Sequence, residues 1–193
     1  MTGVYIFLAD GFEETEALAP YDVLVSAGIP VKTVSINSAN VVTSSHGVPV
    51  IAMMRLDQLK EEAFSTTGEK DVMIFPGGMP GSSNLAADEK LMALMNRHYS
   101  QGGTVAAICA APALVLASKM DKGMLEGKVM TCYEGMDAPF SQAGVRHSSE
   151  GVVRDGRVIS AKGAGFAVAF GLEIAAHLRG RELADKIAAS IML

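Results

Sequence analysis

Short apolar runs alternate with helical patterns along the chain. Such runs are typical of buried strands, and apolar positions spaced three and four residues apart are typical of helices. Strands are predicted at residues 3–8, 30–36, 72–75, 104–108, 128–131 and 157–161, and helices at residues 14–27, 88–101, 110–119 and 164–179. This order predicts an α/β fold in three layers, with a mostly parallel, doubly wound sheet covered by helices on both faces.

Two further segments have β character outside this alternation. Residues 41–54 are apolar and β-branched around Gly47, which predicts a small β-excursion with a turn at the glycine. Val152-Val153 and Val158-Ile159 flank the turn residues 154–157 and predict a hairpin.

The composition predicts a single domain that spans residues 1–193. The chain is 49% hydrophobic and 19% charged, which is enough apolar material for a large core. Its net charge of -5 leaves no basic patch for a phosphate backbone or a membrane surface. We therefore expect neither nucleic-acid binding nor membrane association.

The first residues and the cysteine content predict a cytoplasmic protein. The apolar run near the N-terminus is too short for a signal peptide and has no basic segment before it. Two cysteines, Cys109 and Cys132, do not make a secreted disulfide framework, so both are expected as thiols.

Cys109 is the strongest candidate for chemistry. It follows the apolar run 103–108 and precedes Pro112, a residue typical of the first helical turn, so it is expected at a strand-to-helix turn. Such a turn exposes a nucleophile, and the free N–H groups of the helix start favour thiolate, so a lowered thiol pKa is expected. A buried structural cysteine is the alternative, and the local sequence leaves both open.

Three loops should meet at the carboxyl ends of the strands, where ligands gather in such folds: residues 10–16, residues 76–81 and the Cys109 turn. Glu13 and Glu14 are interpreted as first-turn acids favoured by the helix dipole. Glu16 is expected to face the thiol and to share one proton with it, because two adjacent anions would repel.

The glycines of the second loop allow two interpretations. Gly77 and Gly78 either form a plain tight turn or let a backbone N–H approach a ligand oxygen. In the second case this N–H and that of Ala110 would together form an oxyanion site.

Four motifs in order make the chain resemble a known family: GFEETEA, FPGGMPGSSNL, AAICAAPALVLA and SAKGAG. They span essentially the whole length, and together they are far more specific than any one of them. The chain resembles the ThiJ/PfpI superfamily, and its DJ-one branch most closely.

The resemblance implies a flavodoxin-like sandwich that forms a homodimer. It also implies that Cys109 is the nucleophile, that Glu16 is its protonated hydrogen-bond partner, and that the backbone around Gly77, Gly78 and Ala110 surrounds the bound oxygen. The activities it implies are cofactor-independent conversion of methylglyoxal to lactate, repair of glycated adducts, oxidative-stress sensing and chaperoning.

Departures from the family pattern narrow this list. Ala110 stands where the peptidase-like branch has a histidine, which argues against protease activity. The DJ-one branch commonly has a histidine in a Thr-His-Pro setting, whereas this chain has Thr131-Cys132-Tyr133. Cys132 is therefore either a second thiol facing Cys109, which would favour redox chemistry, or a small apolar filler.

The remaining candidates carry weaker signals. His46 falls where the DJ-one branch often has an arginine reaching the dimer interface, so it is either a substrate-contacting residue or a surface-turn histidine. No pair of histidines has metal-ligand spacing, and residues 76–78 match no nucleotide-binding loop. We expect no metal and no cofactor.

Two classes of function remain open. In the first, the Cys109 thiolate adds to a small reactive aldehyde and Glu16 moves the proton. In the second, the same sulfur is oxidised and the protein is a redox-sensing stress-response or chaperone protein. Loss of the usual histidine favours the second class, whereas the presence of Cys109, Glu16 and Gly78 favours the first.

Overall fold

A seven-stranded sheet forms the centre of the computed structural model, which describes residues 3–59 and 68–193. Its strands are β1 (Val4–Leu8), β2 (Val31–Ser35), β5 (Met54–Arg55), β6 (Val72–Phe75), β7 (Thr104–Ile108), β10 (Val152–Asp155) and β11 (Val158–Ala161). Their order across the sheet is β10-β11-β7-β6-β1-β2-β5. Among these described strands, β10 runs antiparallel to β11 and the other pairs are parallel.

The strand order is that of a flavodoxin-like fold. The first strand β1 pairs on one side with β2, where Val4 lies opposite Val31, and on the other side with β6, where Val4 lies opposite Val72. The chain therefore changes direction across the sheet between β1 and β6, and ligands in doubly wound folds bind beside such a switch point. The predicted fold class is confirmed.

Alternating strand residues build two hydrophobic cores, because successive side chains of a strand point to opposite faces. One core, here called the α3-side core after helix α3 (Glu89–Ser100), includes Tyr5, Phe7, Met73, Phe75 and Val105. The other, called the α5-side core after helix α5 (Ala167–Arg179), includes Val4, Ile6, Leu8, Ile74 and Ala106. Both faces of the sheet are thus buried, which explains why its strands are continuous apolar runs.

Helices cover both faces. On the α5 side lie α1 (Glu14–Ser26), α5 (Ala167–Arg179) and α6 (Arg181–Ser190). On the α3 side lie α2 (Gly81–Ala87), α3 (Glu89–Ser100), a π-helix (Pro112–Ala117) and α4 (Ala138–Gln142). Short 3-10 turns cover Leu56–Gln58 and Ala164–Phe166. Across the described ranges, no helix is long and apolar enough to cross a bilayer.

The predicted strand 128–131 does not join the central sheet. Its core, β8 (Val129–Met130), pairs instead with β9 (Arg146–His147) in a separate two-stranded ladder. Side-chain acceptors take the place of the expected backbone ladder. The amide of Val129 donates to Asp155 Oδ2 at 3.0 Å, and that of Thr131 donates to Ser160 Oγ at 3.0 Å. An apolar run is therefore an incomplete guide to sheet membership here.

The structure contains the remaining predicted helices and strands, but several of their boundaries differ from the predicted ones. Residues 41–54 contain the hairpin β3 (Val41–Thr43) and β4 (Pro49–Ile51), and the predicted hairpin near residue 155 is the pair β10 and β11. The predicted helix 110–119 is largely π-helical, and the predicted helix 164–179 begins as a 3-10 turn. Helices α2, α4 and α6 were not predicted.

Candidate active site

The three predicted loops meet at the carboxyl ends of β1, β6 and β7. The first and second loops are joined by backbone hydrogen bonds, from the amide of Glu13 to the carbonyl of Gly77 at 3.0 Å and from the amide of Gly81 to the carbonyl of Gly11 at 3.1 Å. This contact lies at the switch point between β1 and β6. The cysteine turn follows the neighbouring strand β7.

Two glycines allow this close approach. A Cβ atom at Gly77 would overlap Glu16 Oε2 and lie 2.5 Å from the Cβ of Cys109. Gly78 has a φ of +88°, and a Cβ there would lie 2.6 Å from the carbonyl oxygen of Gly11. Neither position accepts a side chain without moving backbone, so these glycines do more than form a tight turn.

Cys109 lies on a strained turn. Its φ is +66°, a region that residues with a side chain rarely adopt and that costs about 1–3 kcal/mol. Two backbone hydrogen bonds hold it there, from its amide to the carbonyl of Ala161 at 2.9 Å and from the amide of Tyr133 to its carbonyl at 2.8 Å. The amides of Gly78 and Ala110 lie beside its sulfur and act to lower the thiol pKa. The sulfur therefore lies in an anion-binding setting.

Glu16 lies against Cys109 and is 1% exposed. It is in the first turn of α1, where its own amide donates to Glu13 Oε2 at 2.7 Å, so Glu13 caps the helix. Its carboxyl group accepts a 2.9 Å hydrogen bond from the amide of Gly77. The amide of Ala164 and the thiol of Cys109 lie beside the same carboxyl group and act to lower its pKa. The structure thus brings the predicted pair together.

The two groups compete for one proton. Burial raises the pKa of Glu16 to about 7, and the nearby charge of Glu13 adds to this effect. Burial, followed by the charge of Glu16, raises the pKa of Cys109 to about 12 against the opposing effect of the amides of Gly78 and Ala110. The expected lowering of the thiol pKa is wrong here, because burial and a neighbouring carboxylate outweigh the helix start.

This electrostatic balance has a chemical consequence. Because burial raises the pKa of both groups, near neutral pH the sulfur of Cys109 and the carboxyl group of Glu16 hold at least one proton between them. A carboxyl group with a pKa of about 7 is matched to taking up and releasing a proton at that pH. The pair can therefore form a thiolate and a carboxylic acid when a substrate arrives.

Cys132 packs in a different core from Cys109. It is completely buried in the α3-side core, whereas Cys109 packs against the α5-side core. Its sulfur is directed to the carbonyl of Tyr133 at 3.4 Å, and burial together with the charge of Asp137 raises its pKa to about 11. These surroundings match the interpretation of Cys132 as an apolar filler.

His46 is on the surface turn between β3 and β4. Its side chain is 69% exposed, and Nδ1 lies 2.9 Å from Glu14 Oε1. Glu13, Glu14 and His46 form the one group of described residues whose possible ligand atoms all lie within 4.8 Å of one another. Glu13 already caps α1 and His46 already bonds Glu14, so hydrogen bonds explain the cluster and we assign no metal to it.

The segment 162–166 contributes more than its sequence indicated. Ala164 supplies an amide to Glu16, and Gly163 lies so close that a Cβ there would be 3.8 Å from Glu16 Oε1. In the sequence, Gly163 and Gly165 near the start of the predicted helix 164–179 were the signal that this segment could approach Glu16 closely. Tyr133 and Phe166, two exposed aromatic side chains at the same opening, had no comparable signal.

The fold and this site define a class: flavodoxin-like α/β proteins with a cysteine on a strained strand-to-helix turn and a buried glutamate beside it. The family model described as "DJ-1/PfpI family" matches residues 2–177. The chain belongs to the DJ-1/PfpI family.

Individual relatives match over most of their length. Protein dj-1beta of Drosophila melanogaster is 34% identical over 97% of this chain and 95% of its own. A Caenorhabditis elegans protein named glutathione-independent glyoxalase DJR-1.2 is 31% identical over 91% of this chain and 87% of its own. The structure of oxidized Toxoplasma gondii DJ-1 has a TM-score of 0.86 and 29% identity, covering 98% of this chain and 97% of the other.

Proposed function

We propose that this chain is a cofactor-independent cysteine enzyme acting on small reactive aldehydes, or on the glycated adducts they form, in the manner of a glyoxalase or deglycase. The observation that carries the proposal is the close approach of Cys109 to a buried Glu16, whose pKa is raised to about 7. The glyoxalase name of the Caenorhabditis elegans relative, 31% identical to this chain, supports it.

The first step joins the sulfur to the substrate. Glu16 takes the thiol proton as the sulfur of Cys109 bonds to the aldehyde carbon, and the carbonyl double bond opens to an oxyanion. The amides of Gly78 and Ala110, which face the sulfur, are positioned to donate to negative charge developing beside it. Glu16 then returns its proton to that oxygen, which completes a hemithioacetal.

The second step moves hydrogen within the adduct. Glu16 removes the proton from the former aldehyde carbon and delivers a proton to the neighbouring carbonyl carbon through an enediol, which converts the hemithioacetal into a thioester of Cys109. Water then cleaves the thioester, and the products are a 2-hydroxy acid and the free thiol. The sequence consumes one water and no oxidant, so it needs no redox cofactor.

The test is methylglyoxal consumption with lactate formation, measured for the wild type, Cys109→Ala and Cys132→Ala at equal concentration. We expect Cys109→Ala to lose activity by at least about a thousandfold. Cys132→Ala is the matched control and should keep most of its activity, because its sulfur lies in the α3-side core. Equal rates for the wild type and Cys109→Ala would contradict the proposal.

Redox sensing is the second candidate. The absence of a histidine at the position of Cys132 removes a possible acid or base, and the amides of Gly78 and Ala110 are suited to hold the oxygens of an oxidised sulfur. The Toxoplasma relative described as oxidized supports this alternative. Stable peroxide oxidation of Cys109 without measurable aldehyde turnover would favour a redox-sensing stress-response or chaperone role.

We further propose a cytoplasmic homodimer. Free thiols suit a reducing compartment. Exposed apolar side chains lie on α1, on the β3–β4 hairpin and directly after it, namely Leu18, Val25, Val41, Val48, Ile51 and Met53. Exposed apolar side chains of this kind are typical of a surface covered by another subunit. Sedimentation should show a dimer, and Ile51→Glu should weaken it; a wild-type monomer would contradict the proposal.

A further inference from the structure

A cavity of about 280 Å³ lies beside the candidate active site. Its walls include the side chains of Tyr133 and Phe166, and the backbone of residues 163–165 forms part of its lining. Glycine and alanine in this backbone leave the space between the two aromatic residues open. The cavity is thus wide and has aromatic walls.

The cavity adjoins the reacting groups. Gly163, in its lining, is placed so that a Cβ would lie 3.8 Å from Glu16 Oε1, and the amide of Ala164 lies beside the same carboxyl group. On the other side, the amide of Tyr133 donates to the carbonyl of Cys109 at 2.8 Å. A substituent on a carbon bonded to Cys109 can therefore extend into this space.

The aromatic walls are exposed. Tyr133 is 54% exposed and Phe166 is 41% exposed, which are large fractions for aromatic side chains. The ring of Phe166 lies directly on the backbone of Gly151, where a Cβ atom would overlap it. The ring of Tyr133 lies 3.7 Å from the position a Cβ would take at Gly163. Both rings therefore lie beside a glycine, and each presents an exposed aromatic surface to a ligand.

Size and charge indicate the group that fits. This cavity is largely open to solvent, and its volume of about 280 Å³ exceeds the roughly 150 Å³ of an enclosed cavity that holds benzene in another protein. A six-membered ring therefore fits with one side open to solvent, whereas a methyl group leaves most of the space unfilled. Lys162 and Glu134 bring opposite charges to the lining, so it gives no net preference for a charged substituent.

We propose that the preferred substrates are α-oxoaldehydes carrying an aromatic substituent, with the ring bound between Tyr133 and Phe166. This inference rests on the proposed function, because it assigns a substrate class to the same cysteine. Stacked or edge-to-face contacts with two aromatic walls stabilise an aryl group more than a methyl group.

The first test compares phenylglyoxal with methylglyoxal as kcat/KM in the wild type and in Tyr133→Ala and Phe166→Ala. We expect the ratio of phenylglyoxal to methylglyoxal to fall three- to tenfold in each alanine variant, mainly through KM. Tyr133→Phe and Phe166→Tyr are the matched controls and should keep the ratio within about twofold, because they retain a ring. An unchanged ratio in both alanine variants would overturn the proposal.

A second test does not depend on turnover. Cys109 is alkylated with phenacyl bromide or with bromoacetone, so that sulfur displaces bromide from carbon, an S–C bond forms, and Glu16 takes the thiol proton. Intact mass gives the two rates, each divided by the rate for N-acetylcysteine. We expect the wild type to favour the phenacyl reagent at least threefold over this reference and both alanine variants to lose the preference.

The two tests separate the inference from the proposed function. If neither aldehyde is turned over but the phenacyl preference is present and depends on both rings, the glyoxalase proposal fails and the aromatic site stands. If methylglyoxal is turned over by Cys109 without a ring preference in either test, the aromatic site is wrong and the proposed function stands.

Discussion

Gly77 lies between Glu16 and Cys109 and contacts both. Its amide donates to Glu16 Oε2 at 2.9 Å, and the Cβ it lacks would lie 2.5 Å from the Cβ of Cys109. One glycine therefore positions the carboxyl group and leaves the space that brings it against the sulfur. The proton exchange proposed for the reaction depends on this contact.

Substituting Gly77 should separate the pair. In Gly77→Ala the added methyl group overlaps Glu16 Oε2, so we expect aldehyde turnover to fall at least about a hundredfold and stability to fall by about 1–3 kcal/mol. Activity assays and urea unfolding measure the two effects. Gly68→Ala is the matched control, since a Cβ there meets no atom of the residues that the structure describes within 4 Å. Normal activity in a folded Gly77→Ala protein would refute the role of this contact.

The charge of Glu16 should control the pKa of Cys109. In Glu16→Gln the carboxylate that raises the thiol pKa is replaced by a neutral amide that can donate to sulfur, so we expect the pKa to fall clearly below about 12. Glu16→Leu removes the charge but offers no donor, so the fall should be smaller. Thiolate absorbance against pH in a Cys132→Ala background measures the shift. Identical titrations for both variants and the wild type would show that Glu16 does not act on the sulfur.

Activity should fall in mild acid. Because the pKa of Glu16 is raised to about 7, its carboxylate is progressively protonated as pH drops through that value and can no longer take the thiol proton. We therefore expect kcat/KM for methylglyoxal to decrease below about pH 7. Glu16→Gln should leave only a low, pH-independent rate over this range. A wild-type profile that stays flat down to pH 5 would contradict this assignment.

Much of the fold could be predicted because apolar runs report burial directly. Residues 72–75 and 104–108 are buried on both faces, and their apolar sequence reflects this. The run 128–131 is also apolar, but its neighbours are the side chains of Asp155 and Ser160, which lie more than 25 residues away in the chain. Local pattern contains no information about such partners, so the strand was placed in the wrong sheet.

The sequence was enough to predict which residues form the site, but it was not enough to predict the pKa of Cys109. Cys109, Glu16 and Gly78 lie in the segments that follow the carboxyl ends of recognisable strands, so topology brings them together. The pKa of Cys109 instead depends on how deeply the sulfur and Glu16 are buried, which is a property of the packed protein. The cavity between Tyr133 and Phe166 combines two distant segments and escaped prediction for the same reason.

His98 should make the protein less stable in acid. It is completely buried, Nε2 bonds the carbonyl of Thr104 at 2.9 Å, and burial lowers its pKa to about 4 from the ordinary value of 6.5. Between these two values the unfolded chain therefore binds a proton that the folded chain does not bind. The protein loses stability as pH falls from 6.5 towards 4. The difference between the two pKa values corresponds to about 3 kcal/mol in the free energy of unfolding.

Urea unfolding at several pH values tests this. In His98→Gln, where the amide can still donate to the carbonyl of Thr104, the acid-dependent loss should be smaller than in the wild type. His147→Gln is the control and should keep the wild-type dependence, because that side chain is 39% exposed. Parallel pH curves for the wild type and His98→Gln would show that His98 is not the group responsible.

The two cysteines should respond to peroxide independently. A sulfenic acid on Cys109 could be captured by a neighbouring thiol, but Cys132 is buried in the α3-side core while Cys109 packs against the α5-side core. We therefore expect graded peroxide to add two oxygens to Cys109 while Cys132 stays reduced. Cys132→Ala should be oxidised at the same dose as the wild type, and intact mass with peptide mapping measures both. Loss of two hydrogens, reversed by dithiothreitol, would instead show that the sulfurs meet as a disulfide.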